Sequence, residues 1–404
     1  MSNSTKDVVK NVFSNRNILA ISLTTTFWGI FNHAWQPYWA LYLKYELGAT
    51  VPIVGLLSMI QSAEQVLFQL PGGVIADKFG RKRIIVLGTS LRLIPPIVYL
   101  LATSWEHVLP AVIINATGSL YMPAFNAMIA DSLPSRQRGT GYGAYQMITS
   151  LPGIFMPALG GFVLDTFGFK EGVRLFNVLT TFTVMITIIV RAKLITETLA
   201  KESKERSTRA TLSAALDAPR SIWIMVFAST IGGFAMRLVM NFTVIYAKEN
   251  IGLTVTQLGL AQTAGSILHT VLIMPTGMLS DRIGRRPMIL FSHIVGPLTN
   301  WGLILVQDFP QYLLLRLIGT IGGTLGGPAW QAMIADIIPR EKRGTVMGLM
   351  STASGAIGFP SPMLGGYIWE NYSPETAFNT SLIIGLMPMP ILTLYVKEPR
   401  KEEE

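Results

Sequence analysis

The sequence predicts an all-α membrane protein with twelve transmembrane helices, arranged as two six-helix bundles related by pseudo-two-fold symmetry. Half of the 404 residues are hydrophobic and only 14% are charged, with a mean hydropathy of +0.45. Apolar runs of about 20 residues, enough to cross roughly 30 Å of hydrocarbon, recur along the whole chain. Two stretches of the first half of the chain are also repeated in the second half.

Twelve apolar runs are long enough to span a membrane. They cover residues 17–43, 50–76, 83–103, 107–130, 139–165, 172–190, 221–247, 254–280, 286–306, 310–335, 344–369 and 376–396. The first run follows a polar start and has no small-residue cleavage site after it. We therefore expect it to remain in the protein rather than to be removed as a signal peptide.

The Lys and Arg residues lie mainly on one side of the predicted membrane. Of the 32, we assign 25 to the side of the N terminus, four to the opposite loops and three to the spans. Cytoplasmic loops carry the excess of cations in membrane proteins. We therefore expect a multi-pass protein of the cell membrane, plasma or inner, with both termini cytoplasmic. This asymmetry explains the net charge of +9 without a nucleic-acid partner.

A long polar stretch of mixed charge lies near the middle of the chain and divides it. We predict an N-terminal six-helix bundle at 1–191, a cytoplasmic linker at 192–220, a C-terminal six-helix bundle at 221–396 and a cytoplasmic tail at 397–404. Because each half has six crossings, an even number, both halves point the same way across the membrane.

The two halves share sequence as well as pattern. Residues 123–143 match residues 328–348 at 12 of 21 positions, with an offset of 205. The stretch PGGVIADKFGRKR at 71–83 is repeated as PTGMLSDRIGRR at 275–286. Two repeats in the same order at nearly the same offset predict duplicated six-helix halves.

The second of these repeats resembles the loop signature of the major facilitator superfamily, G-x-x-x-D-[RK]-x-G-R-[RK]. The signature is met by Gly73, Asp77, Lys78, Gly80, Arg81 and Lys82, and again by Gly277, Asp281, Arg282, Gly284, Arg285 and Arg286. With twelve spans, the resemblance covers essentially the full chain. It implies a transporter that works by alternating access, opening one site to each side of the membrane in turn.

The aspartate of the repeated loop occupies an unfavourable position. Asp77 ends a helix that runs toward the cytoplasm, where the helix dipole is negative, so its carboxylate needs a positive partner. Arg81 and the N terminus of the eleventh helix are candidates. The resemblance implies a cytoplasmic gate formed by Gly73, Asp77, Gly80, Arg81, Asp131, Asp281, Gly284, Arg285 and Asp336. The alternative is a tight basic loop that only sets the topology.

Glu64 is the acidic residue nearest to the middle of a predicted span. An ionisable side chain at that depth costs about 2.5–3.5 kcal/mol and is by default a functional candidate. We expect Glu64 either to gain and lose the proton that drives transport or to form a fixed ion pair with Arg92 on the next span. Glu64→Gln separates the two, because an unchanged dependence on a pH gradient would exclude the coupling role.

Polar residues on helices one, four and seven are candidates for the substrate cavity, which these helices line together with helix ten in the family. The candidates are Asn32, Trp35, Gln36, Asn115, Tyr121, Arg237 and Asn241. Hydrogen bonds between helices explain such residues equally well. The predicted spans contain three arginines, Arg92, Arg237 and Arg316, and one glutamate, Glu64. This excess of positive charge favours an anionic substrate. We interpret His33, His269 and His293 as packing or cavity groups.

Residues 156–161, MPALGG, resemble the G-P-x-x-G-G motif that proton-driven antiporters of the superfamily carry in helix five. Pro157, Gly160 and Gly161 are retained, and Met156 replaces the first glycine. Proline removes a helical hydrogen bond and glycine permits close packing, so a bend and a tight helix contact are predicted. Ala111 stands where the family usually has an arginine in helix four, so we expect no proton handling there.

The sequence therefore predicts a secondary active transporter, with proton-coupled efflux of small lipophilic or drug-like compounds as the first interpretation. The alternatives are symport or antiport of a small organic anion and, in a different class, a membrane receptor without transport. No phosphate-binding glycine loop, metal cluster or nucleophile–base spacing indicates an enzyme. We expect no cofactor and no metal, and a monomer whose partners are its substrate, protons and the lipid bilayer.

Overall fold

The computed structural model describes residues 13–133, 138–198, 220–338, 343–396 and 398. Within these ranges, the described side chains exclude those of residues 64–66, 69, 70, 73, 77, 138–140, 220, 221, 335, 343–346, 348 and 349. All regular secondary structure in the described ranges is helical.

Each predicted span is a helix or a run of helical segments in the described residues. The first six are α1 (16–46), α2 (51–79), α3 (Arg81–Leu101), α4 (Trp105–Ser132), α5 (Arg138–Phe167) and α6 (Phe169–Leu194). The second six are α7 (220–249), α8 (Val255–Ile283), α9 (Arg285–Leu305), α10 (Phe309–Ile337), α11 (343–371) and α12 (Pro374–Tyr395). Among the described residues, α3 to α9 and α12 are long and apolar enough to cross a membrane, and Val51–Ala63 is a shorter apolar helix.

Polar side chains begin several of these helices. Asn15 accepts hydrogen bonds from the amides of Asn17 and Ile18 at the start of α1. Thr254 and Gln257 form a reciprocal capping box at the start of α8. Such caps satisfy amide groups that have no partner inside the helix, and they hold the start of each span at a defined residue.

Breaks in the spans repeat between the two halves. The first segment of α1 ends at Trp35, and the first segment of α7 ends at Met240. Between α2 and α3, Gly80 has φ 91°, and between α8 and α9, Gly284 has φ 105°. A positive φ of this kind favours glycine. The glycine of the repeated motif is therefore the residue that lets the chain turn from one span into the next.

The chain forms two compact units. The first comprises Met1–Ala49 and Ala63–Lys204, and the second comprises Thr50–Ser62 and Glu205–Glu404. Residues 50–62 belong to the second unit because the first part of α2 packs on α11, where Gly55 lies directly against the backbone of Pro362.

The predicted domain limits stay a prediction. Residues 199–219 of the predicted linker 192–220 lie outside the described residues, as does the predicted tail 397–404 except for residue 398.

A buried apolar cluster lies in each unit, and the two clusters use matching positions. Ile85, Met128 and Ile129 belong to the first. Ile289, Met333 and Ile334 belong to the second. Many large apolar side chains elsewhere on the spans are exposed, among them Phe155, Phe182, Val271 and Met274. In spans of a membrane protein, lipid covers such surfaces.

Candidate functional site

The first charged cluster, which the sequence predicts to be cytoplasmic, consists of Arg81, Asp131 and Glu197 together with Thr198. Arg81 at the start of α3 forms an ion pair with Asp131 near the end of α4. The same Nη1 atom of Arg81 lies 3.4 Å from Oγ1 of Thr198. Glu197 accepts a hydrogen bond of 3.0 Å from the amide of Lys82. The cluster thus joins α3, α4 and the segment that follows α6.

A second charged cluster repeats this arrangement. It is formed by Arg285, Arg286, Asp336 and Glu398. Arg285 at the start of α9 forms an ion pair with Asp336 near the end of α10, and its Nη1 also donates to the carbonyl of Ala332 at 3.0 Å. Glu398 accepts hydrogen bonds from the amides of Arg285 and Arg286, at 2.7 and 2.8 Å.

Glu197 and Glu398 occupy the favourable, positive end of a helix. The first amides of α3 and α9 have no partner inside the helix, and the dipole favours an anion there. A Cβ atom on Gly80 would lie 2.9 Å from Oε2 of Glu197, and one on Gly284 would lie 3.1 Å from the carboxyl carbon of Glu398. A side chain at either position would therefore displace the glutamate carboxylate, in addition to the strain from the positive φ.

Sequence reasoning missed both glutamates. A signal was present, because in each half one glutamate follows the sixth span: Glu197 lies two residues after the buried Ile195, and Glu398 two after the buried Val396. Their function depends on contacts more than 110 residues away along the chain, which spacing alone does not show.

The structure brings some of the predicted gate residues together and not others. Arg81 contacts Asp131, and Arg285 contacts Asp336. Asp281 lies in the last turn of α8 with an exposed side chain. The side chain of Asp77 and the environment of Gly73 lie outside the described part of the chain. The role of these residues as a gate stays a prediction.

A buried arginine lies in the first unit and was not among the predicted site residues. Arg191, near the end of α6, is only 4% exposed. Its guanidinium donates to the hydroxyls of Thr24 at 3.1 Å, Thr89 at 2.8 Å and Thr25 at 3.3 Å. The side chain of a helical residue leans toward the N terminus of its helix. Arg191 therefore extends away from the C-terminal end of α6, into the bundle.

Tyr121 lies between Arg191 and a second arginine, Arg92. The guanidinium carbon of Arg92 is 5.2 Å from the centre of the Tyr121 ring and 5.3 Å from that of Trp28. That of Arg191 is 6.0 Å from the Tyr121 ring and 5.1 Å from the Phe125 ring. The buried Nε of Arg92 has no hydrogen-bond partner among the described residues. Aromatic faces at these distances attract cations.

The other cavity candidates of the first unit occupy different environments. Trp35 is buried, with its ring edge-on to Tyr99 at 5.0 Å and to Tyr42 at 6.0 Å. Gln36 is exposed, and Asn32 and Asn115 are partly exposed. The side chain of Glu64 lies outside the described part of the unit. Contact of any of these residues with substrate stays a prediction.

In the second unit, two arginines connect spans through neutral partners. Nη1 of Arg237 on α7 donates to the carbonyl of Ser354 on α11 at 3.2 Å, and Asn241 follows one turn later with a partly exposed side chain. Arg316 on α10 donates to the side-chain oxygen of Gln262 on α8. Both arginines therefore contribute contacts between helices within this unit.

The predicted proline–glycine motif of helix five, residues 156–161, packs against α1. α5 is one helix from Arg138 to Phe167 with Pro152 and Pro157 inside it. Gly160 and Gly161 are buried, and a Cβ on Gly160 would lie 1.8 Å from the carbonyl oxygen of Ala34. In the second unit, a Cβ on Gly365 of α11 would lie 1.8 Å from the carbonyl oxygen of Leu238 on α7.

A sequence model described as Major Facilitator Superfamily matches residues 18–249 and 225–404, nearly the whole chain. The chain belongs to the Major Facilitator Superfamily. It is therefore a multi-pass membrane transporter, and the fold class predicted from the sequence, twelve transmembrane helices in two six-helix bundles, is confirmed.

Curated relatives of this superfamily member include proteins named as drug exporters. It is 32% identical to the multi-drug resistance efflux pump PmrA of Streptococcus pneumoniae over 180 residues, which is 43% of this chain and 44% of PmrA. The match thus spans less than half the length of PmrA. Identity to multidrug resistance protein 2 of Bacillus subtilis is 24% over 362 residues, 86% of this chain and 87% of that protein.

A solved structure supports the superfamily fold. The crystal structure of a mutant of the nucleoside transporter NupG superimposes with a TM-score of 0.75 and 14% sequence identity, covering 94% of this chain and 100% of that one. At this identity the likeness concerns the fold alone.

Proposed function

We propose that this transporter exports small lipophilic or drug-like compounds in exchange for protons. The observation that carries the proposal is the similarity to multidrug resistance protein 2 along 86% of the chain. Helix five supports it, because Pro157, Gly160 and Gly161 of the antiporter motif are retained and Gly160 makes the close contact with α1 that the motif predicts. We place the protein in the plasma or inner membrane with both termini cytoplasmic.

In the proposed cycle, the two cytoplasmic clusters break and re-form as the site opens to one side and then the other. Ion pairs such as Arg81–Asp131 suit this role because partly exposed pairs contribute only about 0.2–1 kcal/mol each. Glu64 remains the proposed proton-coupling residue of the first unit. The membrane supplies the drive, about 2.3 kcal/mol per charge per 100 mV. We propose that the monomer needs no cofactor.

The test is substrate flux in proteoliposomes, with and without an imposed pH gradient, against a panel of cationic, neutral and anionic compounds. Flux of lipophilic compounds that rises with the gradient is the expected result. Asp77→Asn, which removes the charge of the loop aspartate, is expected to insert normally and to lose transport. Saturable binding without flux of any compound would instead favour a receptor.

Transport of a small organic anion is the second candidate, and one observation favours it. Arg92 and Arg191 flank Tyr121 inside the first unit, and no described carboxylate forms an ion pair with either. Two positive charges near one ring raise the local electrostatic potential, which favours an anion. Flux restricted to the anionic members of the panel would establish this function in place of drug export.

A further inference from the structure

A histidine of the second unit lies at the centre of a span. His269 is the fifteenth of the 29 residues of α8, and its side chain is exposed. An ionisable side chain at the middle of the bilayer is costly and is by default a functional candidate. Histidine is also the side chain that changes charge between about pH 5 and 8.

The hydrogen bonds around His269 determine which ring nitrogen carries the proton. Nδ1 lies 2.8 Å from the hydroxyl oxygen of Thr324 on α10. That hydroxyl donates its single hydrogen to the carbonyl of Thr320, at 2.7 Å, so toward His269 it accepts. From this hydrogen-bond geometry we assign the neutral ring as the tautomer with the hydrogen on Nδ1 and a lone pair on Nε2. Nε2 has no hydrogen-bond partner among the described residues.

Further contacts between α8 and α10 follow from this histidine toward the start of α8. One turn before His269, Gly265 lies close to Thr320: a Cβ on Gly265 would lie 3.0 Å from the hydroxyl oxygen of Thr320. One turn earlier still, Gln262 accepts a hydrogen bond from Arg316. Thr320 in turn donates to the carbonyl of Arg316 at 2.9 Å. Hydrogen bonds therefore connect His269 to Arg316 along α10.

The charged and titratable groups on the elements around α8 leave His269 without a fixed counter-ion. On α10, the positively charged Arg316 donates a hydrogen bond to the side-chain oxygen of Gln262. On α9, Nδ1 of His293 lies 2.9 Å from the carbonyl of Ile289, and its ring lies 5.5 Å from that of Trp330. The remaining groups lie at the ends of α8: Lys248 and Glu249 before its start, and Asp281 and Arg282 in its last turn. No described carboxylate forms an ion pair with His269.

We propose that His269 is a proton-binding residue of the second unit, with Thr324 holding Nδ1–H while Nε2 takes up and releases the proton. In uptake, hydronium transfers a proton to Nε2, which leaves water and the imidazolium. In release, the imidazolium returns that proton to water. As a step of coupled export, the inference rests on the proposed proton-driven function. It is independent of Glu64, which lies in the other half of the chain.

The first experiment reads the protonation of the ring directly. The chain has four histidines, so nitrogen NMR of the full protein in nanodiscs, labelled with ¹⁵N-histidine, gives few signals. His269→Gln assigns the signal of interest. We expect an Nδ1–H neutral ring that becomes doubly protonated as the sample is titrated from alkaline to acidic pH. A ring that carries its hydrogen on Nε2, or that stays neutral throughout the titration, would overturn the proposal.

The second experiment connects the proton to transport. His269→Gln keeps an N–H donor for Thr324 and introduces the residue type of Gln65, the fifteenth residue of α2. We expect it to lose the gradient-driven part of flux by about tenfold, equivalent to ~1.4 kcal/mol, while gradient-independent exchange of substrate continues. The control, His107→Gln at the exposed start of α4, is expected to keep both activities.

The outcomes separate the two proposals. Full gradient-driven flux in His269→Gln would contradict the coupling role of His269. A wild-type protein whose flux ignores the gradient would contradict proton-driven export, and would also end the coupling role. The NMR titration would still decide whether His269 binds a proton.

Discussion

The two units share the contacts at one end of their helices and differ in their interiors. At that end, the Arg81–Asp131 pair corresponds to Arg285–Asp336, and each unit adds a glutamate that accepts from the first amides of α3 or α9. In the interior of the first unit, Arg191 is buried among three threonines.

The position that matches Arg191 in the second unit is occupied by an apolar residue. The carbonyl of Arg191 accepts from the amide of Ile195, and the carbonyl of Leu392 accepts from the amide of Val396, both at 3.2 Å. Leu392 is fully buried in the apolar cluster of its unit. Features present twice therefore belong to the mechanics that both halves share, and features present once are candidates for the chemistry of cargo and proton.

The largest expected effect concerns a repeated contact. Gly160→Ala and Gly365→Ala each place a Cβ about 1.8 Å from a backbone carbonyl oxygen, so the paired helices must separate. We expect each to lower the free energy of unfolding by about 3 kcal/mol, measured by SDS titration in mixed micelles. Gly143→Ala and Gly323→Ala, where nothing lies within 4 Å, are the controls. If only one of the two variants lost stability, the two glycine contacts would not be equivalent.

The next effect concerns the feature that is present once. Arg191→Ala removes three hydrogen bonds from a charged donor, and we expect a loss of about 2 kcal/mol in the free energy of unfolding. Arg191→Leu, which introduces the residue of position 392, should lose less because it fills more of the space. Equal stability of Arg191→Ala and wild type in the same titration would show that the threonine contacts do not stabilise the unit.

A smaller effect, on the barrier to transport, is expected when the Arg81–Asp131 or Arg285–Asp336 ion pair is broken. Asp131→Asn and Asp336→Asn should each change stability by less than about 1 kcal/mol, because the pairs are partly exposed. Flux in proteoliposomes should fall by about tenfold, equivalent to ~1.4 kcal/mol. A reversed pair, Arg81→Asp with Asp131→Arg, tests whether the charges themselves matter. Normal flux in both single variants would show that the clusters have no role as a gate and only set the membrane topology.

The smallest effect distinguishes the two glutamates. Glu398 accepts from two amides of α9, whereas Glu197 accepts from one amide of α3. Carboxylates at helix N termini contribute about 0.3–1 kcal/mol. We expect Glu398→Gln to lose about 1 kcal/mol and Glu197→Gln about 0.5 kcal/mol in thermal unfolding. Because Glu197 also accepts from the amide of Thr198, which is not in α3, the reverse order would show that the contacts to helix amides do not determine the contribution.

The sequence determined the elements and their duplication. Apolar length defines a span because hydrocarbon cannot hydrogen-bond the backbone, so each predicted span is a helix or a run of helical segments here. The repeated motif indicated Gly80 and Gly284 as turns, since glycine alone adopts a positive φ at little cost. The family resemblance implied Arg81, Asp131, Arg285 and Asp336 as gate residues, and the structure joins them in two ion pairs.

Tertiary structure decided which side chains meet. Arg191 was assigned by charge to the cytoplasmic side, yet it lies among threonines of α1 and α3, because side-chain direction and neighbouring spans are not written in hydropathy. Glu197 and Glu398 looked like ordinary charges after a span and are helix caps. The tautomer of His269 depends on Thr324, 55 residues away. Hydropathy reports the transfer of each residue into lipid, whereas such pairings depend on three-dimensional proximity, which only packing of the helices creates.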